Sequence, residues 1–208
     1  HLRHRCAVPV FPPDAVSRLT MLKLCIEDLA CEIKKNKILD GISLTFKGGE
    51  MTAVLGRNGA GKTTFIRCIA NLISHKGKVV LEENGKVLDR SSIAYLPQLE
   101  RITSSLTTFE MILLGLTKTL TWHVSDEQLQ KTAAVIRELK LEHLSNIPVR
   151  SLSGGQKQLV FLAQSFVSEP RLLLLDEPTS ALDVRHQLVV METVEKYCRS
   201  KNAIALYV

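Results

Sequence analysis

No apolar run in the 208-residue sequence approaches the ~18 residues needed to cross a bilayer, so any work at a membrane would be done from its surface. There is no C-x-x-C pair. Cys6, Cys25, Cys31, Cys68 and Cys198 are odd in number and scattered, which argues against a disulfide framework and a zinc site and suits a reducing cytosol. Internal repeats and low-complexity tracts are missing, and so is a basic stripe. The net charge is +6, part of it from Arg3, Arg5 and Arg18 against Asp14 near the start. The remaining excess is spread thinly, whereas a nucleic-acid binder gathers its charge on one face; no nucleic-acid partner is expected. What the sequence does hold is core-forming material, 45% hydrophobic with an ordinary 23% charged. That is enough for one sizeable domain, or one domain with an inserted lobe.

Residues 1–20, with Pro9, Pro12 and Pro13 and followed at once by Met21, read as a non-native or disordered extension. From Leu22, alternation of Leu22, Leu24 and Ile26 with polar neighbours predicts a strand. A turn at Lys34-Lys35-Asn36 leads to a second strand, Ile38 to Phe46. Lys78–Leu81 and Lys86–Leu88 flank Glu83-Asn84-Gly85, a hairpin signal. Ile93–Leu96 is a short strand before Pro97-Gln98. From about Leu99 to Ser151 helical periodicity replaces strands, predicting a helical lobe inserted into an α/β domain that spans 21–208. Thr107–Leu116 is one expected helix, its Met111-Ile112-Leu113-Leu114 cluster read as core rather than docking surface. A second opens on the capping box Ser125-Asp126-Glu127-Gln128, with Leu129, Ala133, Ile136 and Leu139 expected on the buried face. Strand Arg171–Leu175, helix Val184–Ser200 and buried strand Ala203–Val208 complete the pattern.

The chain is organised around Gly56-Arg57-Asn58-Gly59-Ala60-Gly61-Lys62-Thr63-Thr64, a match to G-x-x-x-x-G-K-[ST] between an apolar strand (Met51–Leu55) and a helix (Phe65–Ile73). Such a loop replaces the water around a nucleoside triphosphate with backbone N–H groups at a helix N-terminus, where the macrodipole favours anions. Gly56, Gly59 and Gly61 let the backbone curl round the phosphates. Lys62 can reach the β- and γ-phosphates and the Thr63 hydroxyl can ligate Mg²⁺. ATP and Mg²⁺ are the expected ligands.

Leu172-Leu173-Leu174-Leu175-Asp176-Glu177 supplies what such a loop needs opposite it. A buried strand fixes two carboxylates: Asp176 to hold Mg²⁺ with Thr63, directly or through water, and Glu177 to polarise the attacking water. Leu152-Ser153-Gly154-Gly155-Gln156 is rarer still, with a chance of on the order of 10⁻⁶ per position from residue frequencies. A Ser hydroxyl and Gly N–H groups at the start of a helix (Gln156–Val167) make a second anion cradle. One chain has no evident use for two; a head-to-tail pair does, each copy covering the nucleotide held by the other.

With these motifs the chain resembles the nucleotide-binding subunits of ATP-binding-cassette (ABC) transporters, over about Leu22 to Val208. The resemblance implies an α/β phosphate-loop NTPase core of ABC type, with an antiparallel β subdomain and the helical subdomain inserted at about 99–166. By it, Gln98 touches Mg²⁺ and the attacking water while its loop reports to the membrane partner. Ser180-Ala181-Leu182-Asp183 looks like the loop that bridges two subunits. Leu106–Gly115, Ser151–Gln158 and Ala181–Arg185 look most like importers of iron–siderophore, haem or cobalamin type. The implied partners are a second identical ATPase subunit, integral membrane permease subunits and, through the permease, an extracytoplasmic substrate-binding protein, with the chain on the cytoplasmic face of the membrane. Two departures stand out. The family's adenine-stacking aromatic falls near Ile33, so base selectivity is weak or adenine is held by other groups. The family's switch histidine lies beyond Val208, so the chain reads as C-terminally truncated and impaired in hydrolysis; His186, in a helix, is not that residue. The alternative is a soluble ABC-type ATPase acting on nucleic acid or ribosomes, for which long coiled-coil insertions, paired cassettes or a basic linker would be expected.

Overall fold

A computed structural model describes residues 21–98, 104–119, 124–178 and 182–208. The expectations for 1–20 and for Ser180 and Ala181 lie outside these residues. Two sheets form the frame. The first is antiparallel, built from β1 (Leu22–Ile33), β2 (Asn36–Lys47), β4 (Lys76–Glu83) and β5 (Lys86–Val87) in the order β2-β1-β4-β5. Its last hairpin turns at Asn84 and Gly85, both at positive φ, the pairing that a two-residue type I′ turn demands. The second is parallel, in the order β3-β8-β7-β6, from β3 (Met51–Ala53), β6 (Ile93–Leu96), β7 (Leu172–Leu175) and β8 (Ile204–Tyr207). Because β8 and β7 are covered on both faces, their sequences are continuously apolar rather than alternating; all four leucines of β7 are fully buried. Each contributes about 1.5–3 kcal/mol by leaving water, which makes β7 a stiff mount for the residues at its carboxyl end.

The phosphate-loop helix α1 spans Lys62–Ile69, beginning earlier and ending earlier than the apolar pattern predicts. Its start is set by the glycine loop rather than by hydrophobicity, and Asn71 at φ 52 ends the run soon after. One core lies between α1 and the two sheets, where Phe65, Ile66, Cys68 and Ile69 meet Leu24, Ile26, Leu172 and Leu206. The other face of the parallel sheet is covered by α4 (Gly154–Phe166) and α5 (Val184–Lys201), with Phe166 stacked on Tyr197 at 4.2 Å. A third cluster joins α2 (Thr108–Leu113), α3 (Asp126–Glu138) and α4.

The helical segment departs from expectation in two places. The stretch read as one helix from Thr107 has Thr107 as N-cap of α2, then tightens to a 3₁₀ run over Leu114–Thr119. Met111 and Ile112 are buried there, while Leu114 is exposed. In α3 the buried positions are Gln128, Thr132 and Ile136, and Leu129 faces solvent. Two polar residues can face inward because the helix satisfies them itself. Thr132 Oγ1 donates to the Gln128 carbonyl at 2.8 Å, and Gln128 Oε1 accepts from the Ser125 N–H at 2.9 Å. Among the described residues no helix is long and apolar enough to cross a membrane.

Candidate nucleotide site

Four helices have their N-termini closed by a side chain of this protein: Thr107 on α2, Ser125 on α3, Ser153 on α4 and Asp183 on α5. Helix α1 has none, and no acidic residue in its first turn. Its leading N–H groups are left for a ligand, and the dipole selects an anion. Gly61, at the N-cap, has φ 90, and a Cβ there would come within 2.9 Å of Ile38, so only glycine closes the loop against β2. Lys62 folds back over the loop, its ammonium donating to the carbonyls of Gly56 at 3.0 Å and Arg57 at 3.1 Å. Arg57, Asn58, Gly59 and Ala60 form the exposed arc of the loop, closed by the Ala60 N–H to Arg57 carbonyl bond of 3.1 Å, and Thr64 lies in the first turn of α1.

Sheet register delivers the acidic residues to this loop. All four parallel strands point the same way, so their carboxyl ends share one edge, the usual place for a ligand in an open α/β sheet. Leu96 of β6 is aligned with Leu175 of β7. Two residues further on along each chain, Gln98 and Glu177 therefore stand side by side, Gln98 Nε2 donating to Glu177 Oε2 at 2.8 Å. Glu177 adopts φ 50, a left-handed conformation that costs a non-glycine residue about 1–2 kcal/mol. Asp176, one residue earlier, is 2% exposed, and its N–H donates to the Leu96 carbonyl at 2.9 Å. Thr63 Oγ1 donates to Asp176 Oδ1 at 2.8 Å.

That separation has chemical content. Neighbouring ligands of an octahedral Mg²⁺, each ~2.0–2.1 Å from the ion, sit roughly 2.9 Å apart. Thr63 and Asp176 thus offer two hard oxygens at the edge length of such a shell. Among the described residues no three His, Cys, Asp or Glu converge on a metal-sized point. An ion held here would complete its shell with phosphate and water, which is the habit of Mg²⁺.

Two residues of this cluster escaped the sequence reading. Tyr95 donates its hydroxyl to Asp176 Oδ2 at 3.1 Å, and Arg67 Nε donates to the Tyr95 hydroxyl at 3.2 Å. The Arg67 guanidinium also lies 3.8 Å from Asp176 Oδ2. Burial pushes the Tyr95 hydroxyl above its ordinary pKa, against the opposing pull of Arg67, and the hydrogen bond to Tyr95 raises Arg67. A signal existed: Arg67 is four residues after Thr63 on one helix, hence on the same face.

The Leu152–Gln156 segment is preorganised separately. Ser153 caps α4 in a reciprocal capping box, its Oγ accepting from the Gln156 N–H at 3.3 Å and its N–H donating to Gln156 Oε1 at 2.9 Å. Ser153 and Gly154 are exposed while Gly155 is buried. Among the described residues no hydrogen bond ties this segment to the glycine loop. Gly155 packs against His186 of α5: a Cβ at 155 would lie 2.5 Å from His186 Cδ2. That ring is itself fixed by Asp183, whose oxygens stand 2.8 and 2.9 Å from Nδ1. The hydrogen bonds from the His186 N–H and ring hold the Asp183 carboxyl below the usual range. Gly155→Ala should therefore destabilise the fold by about 1–3 kcal/mol, the cost of overpacking, lowering Tm by roughly 2–12 °C. Adding His186→Ala should restore most of the loss. A thermal melt of Gly155→Ala superimposing on wild type would contradict the contact.

Fold and glycine loop together define a nucleotide-binding α/β protein of the phosphate-loop class. Its relatives narrow this. Residues 39–180 match the sequence profile of the ABC transporter family. The chain is 34% identical to an uncharacterized ABC transporter ATP-binding protein of Methanocaldococcus jannaschii, over 91% of its own length and 77% of that protein. It is 28% identical to a probable iron chelatin transport ATP-binding protein of Helicobacter pylori, over 87% and 74%. A solved metal-chelate type ABC transporter in an inward-facing conformation superposes with a TM-score of 0.79, 28% identity and coverage of 89% of this chain and 72% of that one. The chain belongs to the ABC transporter family, as an ATP-binding protein.

Proposed function

We propose that this chain is the ATP-hydrolysing subunit of an ABC importer, for iron–siderophore or a related metal chelate, working as a head-to-tail pair on the cytoplasmic face of the membrane. In this reading residues 21–208 form one ATPase unit with the helical lobe, about 99–166, inserted. Gly56–Thr64 cradle the triphosphate and Lys62 neutralises its β- and γ-oxygens. Thr63 and Asp176 hold Mg²⁺, which when bound would neutralise the charge that builds on the transferred phosphoryl group. Gln98 and Glu177 orient and deprotonate water, and Ser153–Gln156 of a second copy close over the γ-phosphate. Contact with that phosphate from both copies gives the differential affinity that makes closure depend on ATP.

The observation that carries the catalytic part is the convergence at one sheet edge of an uncapped helix start, a Thr63–Asp176 pair at metal-ligand spacing and a hydrogen-bonded Gln98–Glu177 pair. The metal-chelate cargo is supported by the names of the Helicobacter pylori relative and of the superposed transporter. Co-purification in mild detergent from the native membrane is the test. The chain should come down with a polytopic membrane protein and an extracytoplasmic binding protein. Recovery instead with ribosomes or nucleic acid would overturn the transport assignment.

A further inference from the structure

A carboxylate that must present one oxygen to a metal needs its other oxygen restrained, or the group rotates about its Cβ–Cγ bond and the ligand geometry is lost. Asp176 has such a restraint on Oδ2, made by two residues outside the nucleotide motifs. Its direction is fixed by chemistry. Arginine has no acceptor, so the Arg67 Nε–Tyr95 hydroxyl contact must run from Arg67 to Tyr95. That occupies a lone pair of the hydroxyl and aims its single proton at Asp176 Oδ2, 3.1 Å away. Meanwhile Oδ1 faces the Thr63 hydroxyl at 2.8 Å. The three side chains come from three elements, α1, β6 and the end of β7, so packing holds them independently of any ligand.

We propose that Tyr95, oriented by Arg67, is a positioning residue for the metal: it locks the Asp176 carboxylate so that Oδ1 rather than Oδ2 meets the ion beside Thr63. The inference rests on the reading of Thr63 and Asp176 as the Mg²⁺ pair. In this role Tyr95 acts through Asp176, to which its hydroxyl donates, rather than on the nucleotide itself. The same β6 that carries Gln98 to the Glu177 side thereby also aligns the metal side, through a side chain three residues before Gln98.

The test is the Mg²⁺ dependence of nucleotide binding, read by titrating a fluorescent ATP analogue into the full chain at a series of Mg²⁺ concentrations and in EDTA. Loss of a group that orients a metal ligand typically costs 10–100-fold in metal affinity. Tyr95→Phe should raise the half-saturating Mg²⁺ concentration roughly tenfold or more while leaving the EDTA affinity and the melting temperature as in wild type. Arg67→Gln should shift it in the same direction by less. In an Asp176→Asn background, Tyr95→Phe should add nothing further. If Tyr95→Phe leaves the Mg²⁺ midpoint within twofold of wild type while Asp176→Asn moves it, the positioning role is overturned and the metal pair stands. If Asp176→Asn itself leaves the midpoint unchanged, the metal pair fails, and the role of Tyr95 with it. Equal weakening of binding with and without Mg²⁺ would reduce Tyr95 to a structural residue and also overturn the inference.

Discussion

Replacing Glu177 with Gln should leave ATP binding intact and lower the rate of hydrolysis by roughly 10²–10⁴-fold, the usual contribution of a positioned general base. The substitution keeps the shape of the side chain and its hydrogen-bonding reach to Gln98, 2.8 Å away in the wild type. It removes only the capacity to accept a proton from water. In the proposed head-to-tail scheme closure of two copies depends on the intact triphosphate, so the variant should accumulate as an ATP-bound pair, seen as a doubling of mass by light scattering on addition of MgATP. Wild-type protein should lose that pair sooner than the variant does, as its own ATP is hydrolysed. Turnover at the normal rate by Glu177→Gln would remove Glu177 from the chemistry. Slow turnover with a mass that never doubles would keep Glu177 but end the head-to-tail scheme.

Lys62→Ala acts earlier, on binding. In the described arrangement the ammonium is held by two loop carbonyls, of Gly56 and Arg57. It sits at the loop's mouth and can exchange those weak acceptors for phosphate oxygens without refolding anything. A hydrogen bond to a charged partner contributes about 1.5–3 kcal/mol, so the ATP dissociation constant should rise roughly 10–150-fold. Equilibrium titration with ATP, ADP and AMP would show the loss growing with the number of phosphates. A flat response across the three would place the lysine away from the phosphates. Since Lys62 is not buried and packs no core, its melting temperature without nucleotide should stay close to wild type.

Much of this was legible in the residues because the motifs are constraints on backbone, not only on side chains. The glycine loop announces a strand, a turn that only glycine can make at Gly61, and a helix start, and α1 begins where the loop dictates. Four consecutive leucines before Asp176 announce a strand buried on both faces, and a strand so buried fixes the position of the carboxylates after it. The Asn84-Gly85 turn is read the same way. Side-chain geometry across elements was less legible. Nothing in the local pattern around Tyr95 says that its hydroxyl meets Asp176, because that contact depends on the β6–β7 register. The contact of His186 with Gly155 likewise depends on how α5 crosses α4. The misread face of α3 has another cause: hydrophobicity alone ranked Leu129 above Gln128 and Thr132, whereas capping and an intrahelical bond made the two polar residues the cheaper ones to bury.

The insertion of β8 between β3 and β7 also bears on how the protein is made. The strand that carries the glycine loop and the strand that carries the carboxylates have no direct ladder to one another; residues 204–207 are the wedge that joins them. During synthesis, the ribosome delivers every other described strand before this one, so the parallel sheet stays split along its middle until nearly the whole described chain has emerged. Pairings so distant in sequence form slowly, and the apolar edges of β3 and β7 stay open to wrong partners in the interval. A nascent chain stalled before Ile204 should therefore be a strong client for chaperones, and protease resistance of the glycine-loop region should appear abruptly once Tyr207 has left the exit tunnel.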